Sequence, residues 1–113
     1  MMKFVGKTMN DVKDIIFDFD EMLKSSFGFS NVSDVKISMD EYDYHIVWSI
    51  SNFEWINEIS ISIEEDFYIR FKINGSQMEY DELTKKMESE SNLVKKMIYE
   101  DIRTRLENSF RCY

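Results

Sequence analysis

Apolar and polar positions alternate along the centre of the chain and recur at helical spacing towards both ends. Val12, Ile15, Ile16, Phe19, Met22 and Leu23 repeat every three or four residues, the stripe of an amphipathic helix over roughly 9–26. Thr8 is its expected N-cap, with Asp11 three residues on in a pattern like a capping box, and Gly28 supplies a stop. Four runs of period two follow. Val35, Ile37 and Met39 alternate with Lys36 and Ser38, and Tyr44, Ile46, Trp48 and Ile50 with His45, Val47, Ser49 and Ser51. Trp55, Asn57, Ile59, Ile61 and Ile63 then alternate with Ile56, Glu58, Ser60 and Ser62, and Phe67, Ile69, Phe71 and Ile73 with Tyr68, Arg70, Lys72 and Asn74. Each run reads as a half-buried strand.

The segments between the runs, Asp40–Asp43, Ser51–Glu54 and Glu64–Asp66, are short enough to make neighbouring strands antiparallel. Asn74-Gly75 closes the last strand with turn chemistry. From Asp81, the expected cap, a helical period runs through Leu83, Met87, Val94, Met97, Ile98, Ile102, Leu106 and Phe110; Ser89–Asn92 is its weak point, where a break or kink and one continuous helix of about 30 residues are equal alternatives. The expected fold is one α+β domain over 1–113, in the order α-β-β-β-β-α. It has two layers: a four-stranded antiparallel β-meander, with the N-terminal helix and the C-terminal helix packed on one face. Trp48, Ile50, Ile59, Ile61, Ile69 and Phe71 are expected to point at the helices. The other face is expected to present Ser38, Ser49, Ser51, Ser60 and Ser62 with Val47, Ile56 and Tyr68, a flat surface suited to solvent or to a second flat surface.

Charge sharpens this plan. The 113 residues carry a formal net charge of −8, and residues 37–69 hold eight acids with no Lys or Arg, so the middle third accounts for all of it. A negative field argues against direct nucleic-acid binding by phosphate neutralisation and against docking on an anionic membrane. It favours a basic protein partner. No apolar run has the length of a signal peptide or of a membrane span, and the lone Cys112 fits a reducing compartment, so a cytoplasmic location is expected.

Catalytic chemistry finds little support. His45 is the single imidazole; Asp43 shares its strand face, but no Ser stands in a nucleophile context. One His and one Cys exclude a zinc cage. Asp18 and Asp20 lie about 200° apart around a helix and cannot share a metal. The turn Glu64-Glu65-Asp66 lacks the ligand count and Gly of a calcium loop. No catalytic residue, cofactor or metal is expected, and the chain reads as a binding protein rather than an enzyme.

The pattern that stands out is acid interleaved with aromatic at the turns: Asp40-Glu41-Tyr42-Asp43-Tyr44, Phe53-Glu54-Trp55 and Glu64-Glu65-Asp66-Phe67-Tyr68. Carboxylates beside aromatic rings suit Arg and Lys through ion pairs and cation–π contact. The expected partner surface is Asp40, Glu41, Asp43, Glu64, Glu65 and Asp66 with Tyr42 as anchor. A second surface is the helix row Asp11, Asp14, Asp18 and Glu21, which the spacing places on one side of the first helix. In size and charge the chain resembles anti-CRISPR and anti-restriction nucleic-acid mimics, an analogy of composition that no motif carries. It implies inhibition of a basic, nucleic-acid-handling protein. An immunity protein that neutralises a toxin calls for the same acidic surface. A structural or chaperone-like module that dimerises through the Ser-rich face is a third reading. The expected state is monomer or homodimer.

Overall fold

The computed structural model describes residues 2–4, 9–41, 43–64 and 68–112. The element order is β1 (Met2–Phe4), α1 (Met9–Phe27), a 3-10 turn (Phe29–Asn31), β2 (Lys36–Met39), β3 (Tyr44–Ser49), β4 (Glu58–Ile63), β5 (Tyr68–Ile73), β6 (Ser76–Gln77), α2 (Tyr80–Ser89), α3 (Leu93–Ser109) and β7 (Phe110–Cys112). The meander β2-β3-β4-β5 is present and antiparallel throughout. The terminal segments extend it: β1 pairs with β5 and β7 with β1, giving the order β2-β3-β4-β5-β1-β7, and β6 folds back on β5. Phe110 therefore belongs to a strand instead of ending the last helix. Strands of two or three residues are too short to show a period of two, which is why pattern alone missed them.

Ile46, Trp48, Ile59, Ile61, Ile63, Ile69, Phe71 and Ile73 are buried on one sheet face, beneath Val12, Ile16, Phe19, Met22 and Leu23 of α1, Leu83 of α2, and Ile98, Tyr99, Ile102 and Leu106 of α3. Phe19 sits at the centre, with ring centroids 5.9 Å from Trp48 and 6.3 Å from Phe71. The six sheet residues expected to face the helices, Ile50 included, are all buried. Burying this apolar surface is the main force holding helices to sheet.

Helix ends follow local chemistry. Gly28 leaves α1 at φ 95°, and its N–H donates to Lys24 C=O at 3.1 Å. Thr8 lies outside the described residues, as does the side chain of Asp11. The C-terminal helical region is two helices, broken at Glu90–Asn92. Asn92 Oδ1 accepts the Lys95 N–H at 3.1 Å, the bond of an N-cap, and Glu90 Oε1 accepts the Asn92 N–H at 3.0 Å. Asp81 does not cap α2: the helix starts at Tyr80 with Glu79 preceding it, so Asp81 lies in the first turn, where its charge meets the positive helix end.

Three further expectations are corrected. The third meander strand starts at Glu58, not Trp55, because residues 51–57 form a loop; Ile56 is consequently buried instead of lying on the outer face, and Ser51 joins the loop, its N–H donating to Asn31 C=O at 2.8 Å. Asn74 holds that loop, accepting from the N–H of Asn57 (2.8 Å) and Glu58 (3.2 Å) and donating to Trp55 C=O (3.1 Å). Val94 and Met97 are exposed despite their helical spacing. Ile37 and Met39 are 54% and 67% exposed, although Ile37 pairs with buried Ile46. β2 is an edge strand of the sheet, and these two apolar side chains remain uncovered there.

Candidate functional site

The β2–β3 turn and the start of the β4–β5 turn lie at one end of the sheet, because Met39 pairs with Tyr44 and Tyr44 with Ile63. The turn at 40–43 closes on itself: Asp40 N–H donates to Asp43 C=O at 3.0 Å, and Asp43 N–H donates to Asp40 Oδ1 at 2.9 Å. A short polar side chain that can bond the backbone two or three residues on is what this position needs, and Asp supplies it. His45, the first outward-facing residue of β3, lies between Asp40 Oδ2, 2.8 Å from Nε2, and Ser62 Oγ, 3.2 Å from Nδ1. The strand register sets that contact by placing Ser62 directly opposite His45. On the next strand Arg70 pairs with Glu64.

These partners change the electrostatic picture drawn from the sequence. Segregation of acids along the chain does not survive folding, because β5 lays Arg70 and Lys72 beside Ser62 and Ser60 of β4. Of the expected turn acids, Asp40 is joined to His45 and Glu64 to Arg70, whereas Glu41 is exposed and Asp43 half-exposed, with no ion pair to a described residue. Tyr42, Glu65 and Asp66 lie outside the described residues. Donor atoms of Asp40, Asp43 and His45 come within 4.8 Å of one another, a spacing that suits a divalent cation. Both Asp40 oxygens already accept bonds inside the hairpin, so the cluster satisfies itself without an ion.

The described part of the helix row stays on one side of α1, the side that meets α3. Asp14 is exposed, and Asp18 accepts from Arg105 Nη1 at 2.6 Å, which ties α1 to α3. Glu21 lines a polar groove of about 480 Å³ between α1 and α3, with Glu100, Asp101 and the same Arg105 across from it. Asp20 turns the other way, accepting from Trp48 Nε1 at 2.9 Å and pairing with Lys24 at 2.9 Å, so Asp18 and Asp20 do part as the helical angle requires.

The aromatic residues of the Phe53-Glu54-Trp55 cluster are structural. Phe53 packs edge-on against Phe27 at 5.1 Å, and Trp55 lies 5.2 Å from Tyr99 with the Lys95 ammonium 5.1 Å above its ring. Burial pushes the Tyr99 phenol above its ordinary pKa of 10.0, against the opposing pull of the Lys95 charge. Sequence reasoning missed the groove residues Glu100 and Asp101. Their signal was the i, i+1 acid pair on the outer side of a helix, which is common on any solvated face.

Compared with known proteins, the chain matches no protein-family model, no curated protein and no solved structure. No helix among the described residues is long and apolar enough to cross a membrane.

Proposed function

We propose that the protein is a non-catalytic binding protein that engages a basic, nucleic-acid-handling protein through the acidic end of its sheet, presenting carboxylates where phosphates would sit. The observation that supports this most is the pair Glu41 and Asp43, at least half-exposed on a hairpin braced by its own Asp40 bonds and making no ion pair with a described residue. A rigid turn with uncompensated acids costs little to order on binding. The overall charge of −8 adds long-range attraction to a cationic surface. The reading includes a cytoplasmic setting and no direct nucleic-acid contact.

The test is capture of host proteins on the immobilised chain, followed by association kinetics with the captured partner at several salt concentrations. The reading expects a basic partner whose association slows as salt rises and slows further with Glu41→Lys and Asp43→Lys together. An association rate indifferent to both changes sinks it. A loss of binding on Glu21→Lys or Asp101→Lys instead assigns the contact to the groove between α1 and α3.

A further inference from the structure

The exposed edge of β2 shows a self-complementarity that the acidic-surface reading does not use. In an antiparallel pair, residues alternate between bonding the neighbouring strand and pointing their N–H and C=O away from it. The Asp40 N–H bond to Asp43 C=O, and the Ser33 N–H bond to Ser49 C=O, set the phase on this side of β3. The Ile50 N–H bond to Asn57 C=O sets the complementary phase towards β4. Lys36 and Ser38, opposite Val47 and His45, therefore bond β3, and Ile37 and Met39 aim their backbone groups outward along an edge that no described strand pairs. The same two residues expose their apolar side chains.

We propose that two copies of this chain pair antiparallel through β2, about a two-fold axis at Ser38. Hydrogen-bond phase restricts the axis to a residue of β2, not a point between two. An axis at Lys36 sets the two Lys36 side chains opposite each other, a like-charge contact. An axis at Ile37 sets Asp34 opposite the second copy's Asp40, a like-charge contact. An axis at Met39 sets Ile37 opposite Glu41. The axis at Ser38 sets Ile37 opposite Met39 on the helix side, and Lys36 opposite Asp40 on the outer side, twice over by symmetry. Each Ile37–Met39 pair exchanges two backbone hydrogen bonds and covers two exposed apolar side chains, while each Lys36–Asp40 pair juxtaposes opposite charges. The surface is isologous, as a closed dimer requires. It joins two meanders into one continuous sheet and turns the two acidic hairpins to opposite ends of the joint, a bivalent arrangement.

The experiment uses the full chain with Cys112→Ser. At the axis the two Ser38 Cα atoms form a non-hydrogen-bonded pair about 4.5 Å apart, within disulfide reach. Ser38→Cys is expected to yield a covalent dimer on mild oxidation under native conditions. Sedimentation equilibrium of the parent chain is expected to show a monomer–dimer equilibrium. Ile37→Lys and Lys36→Asp, both at exposed positions, are each expected to weaken it about tenfold with circular dichroism unchanged. A chain that stays monomeric at millimolar concentration overturns the proposal. So does a dimer that Ser38→Cys leaves uncrosslinked, or one that neither substitution weakens. None of these three results bears on the salt-dependent capture that tests the acidic hairpin.

Discussion

Trp48 shows how one side chain links the layers. Its ring is fully buried beside Phe19, and its Nε1 donates to Asp20 at the helix surface. Trp48→Ala is expected to cost about 3–5 kcal/mol, since neither sheet nor helix can collapse into the space left. Trp48→Phe keeps most of the packing and loses one hydrogen bond, so about 1 kcal/mol beyond its packing change is expected. Urea unfolding of the two variants separates the contributions. Glu90 makes a different residue-level case. The Asn92 amide above all holds its carboxyl below the ordinary value of 4.5; desolvation opposes it, and the Lys95 ammonium adds to the lowering. A carboxyl depressed on folding stabilises the fold once ionised, above its unfolded pKa, and that contribution is lost as pH falls through the lower folded value. Carbon-detected NMR titration of Glu90 is therefore expected to show a midpoint below 4.5, with fraying at the start of α3 following it in acid. Glu90→Gln removes that dependence.

Elements depend on a few polar side chains at their ends. Asn74 adopts φ 52° ahead of Gly75 at φ 81°, a two-residue hairpin turn that starts β6, and its side chain also bonds two backbone groups of the 51–57 loop and the Glu58 N–H at the start of β4. Asn74→Ala loses those bonds and places a Cβ residue without a compensating polar group at positive φ, at a cost of about 1–3 kcal/mol. Asn74→Gly relieves only the backbone part. Thermal melts of the two should therefore rank Ala below Gly and both below the parent. The same loop explains why period two misled at Trp55 and Ile56. Alternation records which side chains are apolar, but both residues bury theirs from a loop, Trp55 against Phe27 and Tyr99. The weak point at Glu90–Asn92 was legible, because Ser, Asn and Glu there offer the backbone better partners than a helix interior does, but that the helix breaks there was decided by the folded structure.

At the scale of the whole molecule, charge decides behaviour at a distance and pairing decides it on contact. A net charge of −8 repels phosphate, so the purified chain is expected to leave plain duplex DNA and RNA unretarded in gel shift at physiological salt. Near the surface the distribution is mixed, with Arg70, Lys72 and Lys36 on the outer sheet face among the serines. Reversing Glu41 and Asp43 should slow association with a basic partner severalfold and leave the melting temperature unchanged, since exposed turn charges contribute little stability. A shift in melting temperature would mean that these acids brace the hairpin.

Side-chain periodicity determined α1, the four meander strands, their antiparallel pairing and the core facing the helices, because a helix or strand buries one face and its apolar spacing records that face directly. It also placed the acids of the two turns at one end of the sheet, since a meander with short turns has no other arrangement. What it could not carry was any relation between residues far apart in the chain. The terminal strands exist because β5 offers β1 an edge and β1 offers one to β7, a property of the sheet and not of three residues. Arg105 silences Asp18 across 87 positions, and Arg70 and His45 occupy two of the expected turn acids. Ile37 and Met39 have the pattern of a buried strand face and stand exposed, uncovered on an edge strand of the sheet. Burial depends on what lies above a residue, and only the tertiary arrangement decides how far that cover extends.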